Sequence, residues 1–426
     1  MIENLVQFID NAPTAYHAVE QAKEKLKAKQ FKELKEADIW QLEARKKYFV
    51  TRNDSSIIAF TVPQKFETIQ ICASHTDSPT FKLKMQGTMI SKGHIRLDVE
   101  RYGGAILHSW VDRPLSLAGR VVVENNGQLE VKLFDVKKAC LMIPSVAIHL
   151  NREANGGNGY NVQKELLPVA GLGEDFNLHD FIRKECQITG EILGLDAFVY
   201  NLQSSLVWGQ NNEFFSAPRI DNLECFSASL EAFIDSENND ALNILCSFDN
   251  EEVGSSTKQG ADSNFFSDVL ERIEMAMNLK PQEMKTLISK GFMISCDNAH
   301  GFHPAYPELY SPSVAPLLNQ GIVIKHSANQ KYTTDAISGA VFKNICQKAS
   351  VACQDYHNHS NLPGGSTLGN ISNTHISLNT IDIGLAQWAM HSSFETCGRE
   401  DYQKLIDALK YFYQNKIQIK GCHISD

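Results

Sequence analysis

The sequence predicts an α/β protein in which a mixed sheet is flanked by helices and a β-rich unit is inserted into the chain. Two observations lead to this. Beyond residue 208, helical patterns alternate with strand-like runs, which is how a chain packs helices on the faces of a sheet. Between about residues 81 and 136 the pattern becomes short strands separated by turns at Gly87, Gly93, Gly103-Gly104, Gly119 and Asn126-Gly127, which marks a unit with its own sheet.

The elements follow in order. Thr14 is placed to cap a helix in which Val19, Ala22 and Leu26 recur at helical spacing. Residues 56–62 and 68–74 are rich in Ile, Ala, Phe and Val and read as strands. After the β-rich stretch, residues 151–161 contain Gly156-Gly157-Asn158-Gly159 and little to bury, so they read as a loop. A helix near 178–184 and a strand near 196–201 lead to Trp208-Gly209-Gln210-Asn211-Asn212, where the chain is expected to return to its first domain. The expected division is therefore 1–79 with 208–426 as one domain and 80–207 as the insertion. Helices at 224–234, 265–277 and 335–350 then alternate with strands at 243–248 and 292–296. An amphipathic helix at 401–413 closes the chain, with Leu405, Leu409 and Phe412 on its buried stripe.

Composition excludes some functions. The chain has 426 residues, 43% of them hydrophobic, enough for two domains and a sizeable core. A net charge of -10 argues against nucleic acid as the main partner, because phosphate binding needs a basic surface. No apolar run approaches the roughly 18 residues of a membrane span, and the first twenty residues, with Glu3, Asp10 and Glu20, are unlike a signal peptide. A cytoplasmic protein is expected. The 10 cysteines are scattered without Cys-x-x-Cys spacing, and Cys72, Cys246 and Cys296 sit inside apolar runs, as reduced core thiols do.

The chemistry gathers where strand-like runs stop. One run ends in His75-Thr76-Asp77-Ser78-Pro79, another in Asp249-Asn250-Glu251-Glu252, a third in Asp297-Asn298-Ala299-His300. In open α/β sheets the functional crevice lies beyond the carboxyl ends of the strands, so the three clusters can share one cleft. Neighbouring residues on an extended segment point in opposite directions, which lets one glutamate of the Glu251-Glu252 pair hold a metal while the other faces a reacting water. His75 is a candidate metal ligand, with Asp77 placed to orient its ring. Asp221 and His391 are further candidates, although Asp221 serves equally as a cap for a helix starting near Asn222 and spacing alone selects neither. His357 and His359 lie in a polar stretch that reads as a solvated loop. Pro363-Gly364-Gly365-Ser366-Thr367-Leu368-Gly369 lacks the Gly-Lys-Ser/Thr ending of a phosphate-binding loop.

Taken together, Ser74 to Pro79, Leu117-Ala118-Gly119-Arg120-Val121, Ala147-Ile148-His149-Leu150, Pro218-Arg219-Ile220-Asp221-Asn222-Leu223, Asp249 to Ser255, Asp297 to His303 and Ala389-Met390-His391-Ser392 resemble, in order, segments of the aspartyl aminopeptidases and vacuolar aminopeptidase I. These are dinuclear zinc exopeptidases acting on peptides with a free N-terminus. The resemblance implies that His75, Asp221 and Asp297 hold one zinc ion and Asp221, Glu252 and His391 the other, with Asp221 as the bridge. Manganese or cobalt can substitute at such a donor set. Glu251 would be the general base, His300 would contact substrate, and Lys325 and Tyr332 would line a pocket for an acidic side chain. His149, on the strand-like run 146–150, would reach a neighbouring subunit's site from an inserted dimerisation domain, in a dodecamer assembled from dimers. Gly365-Ser366 departs from the family's Gly-Thr-Thr-Ile-Gly segment, which leaves a substrate role for that loop in doubt. Two other readings are a deacylase or carboxypeptidase of related fold, and a non-catalytic self-assembling scaffold.

Overall fold

Two strands, Thr68–His75 and Ala241–Phe248, are buried at every position. Burial on both faces requires neighbours on both edges and cover above and below. The computed structural model, which describes residues 2–157, 159–420 and 423–425, shows how that is met. The two strands run parallel, side by side, within a nine-stranded mixed sheet. Its spatial order is Lys32–Leu34, Lys47–Arg52, Ser56–Thr61, Ala241–Phe248, Thr68–His75, Phe292–Cys296, Asn379–Gly384, Ile322–His326 and Cys353–His357.

Register sets the functional ends level. Phe248 lies opposite His75. On the other side Ser295 lies opposite Ala73, so Asp297 and His75 each follow two residues later. The period of two along each strand divides the apolar side chains between two cores. Cys72 and Leu245 join Leu223, Phe226, Phe233, Leu405, Leu409 and Phe412. Ile71, Ala73 and Ile244 join Phe265, Leu270, Met284 and Leu287. The closing helix Asp401–Gln414 therefore buries the stripe expected of it, against the helix Ile220–Ile234.

The insertion forms a six-stranded antiparallel sheet, in the order Gln128–Asp135, Leu115–Asn125, Glu191–Asn201, Thr80–Ser91, His94–Tyr102 and Val169–Leu172. It has a core of its own, with Leu83, Leu97, Leu117, Val121, Ile182 and Val199. The helix Leu178–Cys186 is capped by Asn177, whose side chain accepts the Asp180 N–H, and ends at Gln187 in the left-handed region (φ 54). A five-stranded sheet of Leu206–Trp208, Phe214–Ala217, Glu395–Gly398, Ala386–Trp388 and Ala299–His300 lies where the chain leaves the insertion.

Several expectations need correction. A helix at Ile2–Asp10 precedes the expected one, burying Leu5, Phe8 and Ile9. Thr14 stands at the start of Ala15–Ala28, but its hydroxyl pairs with His17 Nδ1 at 2.8 Å instead of capping the helix. Residues 146–150 are an irregular segment ending in a turn, not a strand, because among the described residues no neighbouring strand offers them a ladder. Val146 is 58% exposed and Leu150 84%. The Glu251-Glu252 pair sits in a 3₁₀ turn, Glu251–Val253, because Asn250, two residues beyond the strand's end at Phe248, turns the chain through the left-handed region (φ 63). Residues 151–157 and 159–161 are irregular or in turns, as expected, while Asn158 and Cys422 lie outside the described residues.

Candidate metal centre

His75 ends its strand with 1% exposure. Its Nε2 is 3.3 Å from Asp221 Oδ1 and 3.4 Å from Asp297 Oδ1. The other oxygen of Asp221, Oδ2, lies 3.5 Å from Nε2 of His391, which is itself 3.4 Å from Glu252 Oε2. One carboxylate thus stands between two imidazoles, with an oxygen toward each. Asp221 precedes the regular turns of its helix, with φ -77 and ψ 106, and its side chain turns to the histidines, so the capping alternative falls. Arg219 (φ 59) directs the chain there, its guanidinium donating to the carbonyls of Ile9 and Ala12.

A layer of hydrogen bonds holds these groups. Asp77 Oδ1 is 3.3 Å from His75 Nδ1 and accepts the Glu251 N–H, while its Oδ2 accepts the Glu252 N–H, both at 3.2 Å. Asp77 thus faces His75 Nδ1 with both its carboxylate and its own carbonyl, the latter at 3.2 Å, and also anchors the Glu251-Glu252 turn. Glu395 is a residue of this cluster that sequence reasoning missed. Its Oε2 accepts the Asp221 N–H at 2.9 Å and its Oε1 the His391 N–H at 2.7 Å. Spacing offers no signal for it, because it acts on the backbone of two segments distant in the chain.

The electrostatics of the cluster suit a cation. Burial pushes the Glu251 carboxyl up to about 7; His75 draws it down, and Asp297, Asp77 and Asp221 raise it. Burial and the Asp221 charge drive Glu252 well above the usual carboxylate range. Burial would raise Asp221 too, but His391 and His75 outweigh it and hold its carboxyl well below that range. Burial works against a charged His391, yet Asp221 and Glu252 bring the ring up to about 10. Asp221 Oδ1 and Glu252 Oε1 are buried without a hydrogen-bond partner, a costly arrangement unless a cation meets them. Ligand atoms of His75, Asp221 and Glu252 lie within 4.8 Å of one another, the one such group among the described residues. This triad takes a ligand from each side of the Asp221 carboxylate. His and carboxylate donors in this arrangement fit divalent zinc.

The remaining candidates scatter around this cluster. Lys325 is 2% exposed, with Nζ 3.4 Å from Asp297 Oδ2 and 5.6 Å from the centroid of the Tyr332 ring. Burial opposes its charge, but Asp297 more than compensates and keeps the ammonium above the ordinary lysine range. Tyr332 is buried beside Tyr356, and exposed His300 lies edge-on to Tyr356 at 6.2 Å. His149 lies on the turn in the insertion. His357 stacks on His326 at 4.8 Å and neither it nor His359 joins a three-ligand group among the described residues. Thr367 donates to Asp382 Oδ1, and a Cβ on Gly369 would come within 2.8 Å of Ser295 Cβ, so close packing accounts for that end of the glycine-rich loop. A cavity of about 300 Å³ shares Asp77, Asp221 and Glu395 as walls, yet its lining omits His300, Lys325 and Tyr332.

Residues 8–413 match the model of the aminopeptidase I zinc metalloprotease family, M18. The chain belongs to the M18 family. It is 44% identical over 421 residues to a probable M18 family aminopeptidase 2 of Clostridium novyi, covering 96% of this chain and 97% of that one. Its fold overlays a chain in the cryo-EM structure of the Ape4 and Nbr1 complex with a TM-score of 0.92 at 34% identity, covering 97% of this chain and 85% of the other. The S. cerevisiae mApe1 dodecamer gives 0.86 at 25% identity, over 96% and 95% of the two chains. This M18 enzyme is therefore a zinc aminopeptidase, a hydrolase of peptide bonds, and the deacylase, carboxypeptidase and scaffold readings are set aside. No helix among the described residues is long and apolar enough to cross a membrane.

A buried carboxyl beside the centre leads to a pH prediction. Glu224 accepts from Asn298 Nδ2 at 2.8 Å and from the Cys397 thiol at 3.2 Å, and burial pushes it up to about 7 from 4.5. Between these values the unfolded chain gives up its proton before the folded one, so stability falls as pH rises and the loss is complete above pH 7. The shift corresponds to about 3 kcal/mol. Glu224→Gln should flatten the decline in thermal midpoint between pH 5 and 7 and leave the variant the more stable protein above it. Parallel melting curves for the two proteins would remove this carboxyl as the cause.

Proposed function

We propose that two zinc ions sit in this centre, one held by His75, Asp221 and Asp297 and the other by Asp221, Glu252 and His391, and that Glu251 is the general base for removal of N-terminal residues, Asp and Glu preferentially. The observation that carries this is the Asp221 carboxylate, one oxygen toward each imidazole. When bound, such a pair of ions supplies Lewis acidity to the scissile carbonyl and lowers the pKa of water. Manganese or cobalt suits the same donors. Glu251, with its carboxyl near 7, suits a group that takes a proton from the attacking water and later delivers it to the leaving amine. The carboxylates Asp77, Asp221, Glu252 and Asp297 around it favour a substrate presenting a free α-ammonium group. Lys325 and Tyr332, with His300 at the rim, supply a cation and an apolar wall for an acidic side chain.

Residues 1–79 with 208–426 form the catalytic domain in this reading, and 80–207 the inserted dimerisation domain; the six-stranded sheet, whose strands lie between Thr80 and Asn201, supports the division. His149 then reaches a neighbouring subunit's site in a dodecamer built from dimers. The exposed Val146, Ile148 and Leu150 around it are apolar surface that a partner would cover. The cytoplasm is the proposed location, in keeping with the free thiols of Cys72, Cys225, Cys246 and Cys296.

A peptide panel tests the reading. Free-amine peptides should be cleaved and acetylated ones spared, with activity lost on chelation and recovered with zinc. In Lys325→Ala the ratio of kcat/KM for Asp-first over Leu-first peptides should fall about tenfold or more, the worth of a charge-assisted hydrogen bond. Equal turnover of both peptides, untouched by the substitution, would sink the acidic preference while leaving the metal centre standing.

A further inference from the structure

The insertion touches the metal centre through one short stretch, Tyr102-Gly103-Gly104-Ala105-Ile106, which follows from the strand His94–Tyr102. The Tyr102 hydroxyl donates to Asp77 Oδ2 at 2.6 Å and accepts from Asn250 Nδ2 at 2.8 Å. Gly103 has φ +74, and a Cβ built on it would stand 3.1 Å from Glu252 Cβ and 3.4 Å from Pro79 Cα. The Gly104 carbonyl lies 3.2 Å from His391 Nδ1, and the Ile106 N–H donates to the His391 carbonyl at 2.9 Å. Four of these five residues thus meet the support of one proposed ligand and two further ligands directly.

We propose that this stretch is a positioning element for the metal ligands: Tyr102 fixes Asp77, and the Gly104 carbonyl accepts a hydrogen bond from His391 Nδ1–H so that Nε2 is free to ligate. The inference rests on the ligand assignment above. The chain of contacts is short. Asp77 faces His75 Nδ1 and accepts the N–H groups of Glu251 and Glu252, so losing the Tyr102 hydroxyl loosens three residues at once. The carbonyl opposite Nδ1 selects the tautomer of His391, since the hydrogen bond at one ring nitrogen decides what the other can do. Gly103 permits the close approach that a side chain would block. The insertion on this account completes the metal centre of its own protomer, a task separate from assembly.

The test measures metal binding and does not depend on turnover. Zinc affinity is read by competition with a chromophoric chelator for wild type, Tyr102→Phe, Gly103→Ala and His391→Ala, with oligomeric size and thermal midpoint recorded for each. Tyr102→Phe removes only a hydroxyl and should keep its size and fold, yet weaken zinc binding about 10- to 100-fold, the usual cost of losing an outer partner of a metal ligand. The visible spectrum of its cobalt-loaded form should also shift, which a merely structural tyrosine would not cause. Gly103→Ala should weaken binding in the same direction. If both variants bind zinc as wild type does while His391→Ala is impaired, the positioning role is overturned. If wild type binds no zinc, or His391→Ala has no effect, the ligand assignment itself falls and this inference with it.

Discussion

Glu251→Gln should bind zinc as the wild type does and hydrolyse peptides about 10²- to 10⁴-fold more slowly, the range that general acid–base catalysis supplies. The substitution keeps shape and backbone hydrogen bonds. The Glu251 N–H goes to Asp77 whatever the side chain, so the turn that also carries Glu252 stays in place. What is lost is a carboxylate whose proton affinity burial has brought near neutrality. The check is kcat on a free-amine peptide together with metal content by elemental analysis. A variant that turns over normally with its zinc in place would remove Glu251 from the reaction, and one that loses zinc would make it a ligand.

Asp221→Ala should do the opposite, abolishing hydrolysis because the metal goes. Among the described residues only this carboxylate faces both imidazoles, so its removal takes an oxygen from each proposed position, whereas His75→Ala or His391→Ala takes a donor from one. The expected weakening exceeds the roughly 10- to 100-fold typical of outer partners. Zinc stoichiometry decides the matter. The single-histidine variants should each retain one ion more firmly than the other, while Asp221→Ala should hold neither well. Two tightly bound ions in Asp221→Ala would show that the bridge is not there.

Some of this was open to a reader of the sequence. Continuous apolar runs such as 68–74 and 243–248 have one stable use, a doubly covered strand, and the polar clusters after them mark the crevice. Other parts misled for identifiable reasons. The segment 146–150 has the residue types of a strand, but pairing needs a neighbour and the described residues provide none. The Glu251-Glu252 pair was expected on an extended segment but lies in a 3₁₀ turn, because the strand ends at Phe248 and Asn250 turns the chain through the left-handed region. Lys325, which a sequence reader would as readily leave in solvent, is buried against Asp297.

The family resemblance alone singled out Asp221 and His391; the sequence by itself determined the α/β class, the strand-end clusters that hold His75, Glu251, Glu252 and Asp297, and an acidic balance that argues against nucleic acid as the main partner. These depend on residue type and local period, which one dimension records. Only the tertiary structure decided that Asp221 stands between His75 and His391, that Glu395 holds the backbone of Asp221 and His391, and that Tyr102 reaches from the insertion to Asp77. Those relations join segments separated by as many as 174 residues through hydrogen bonds whose geometry depends on sheet register, and no local pattern encodes them.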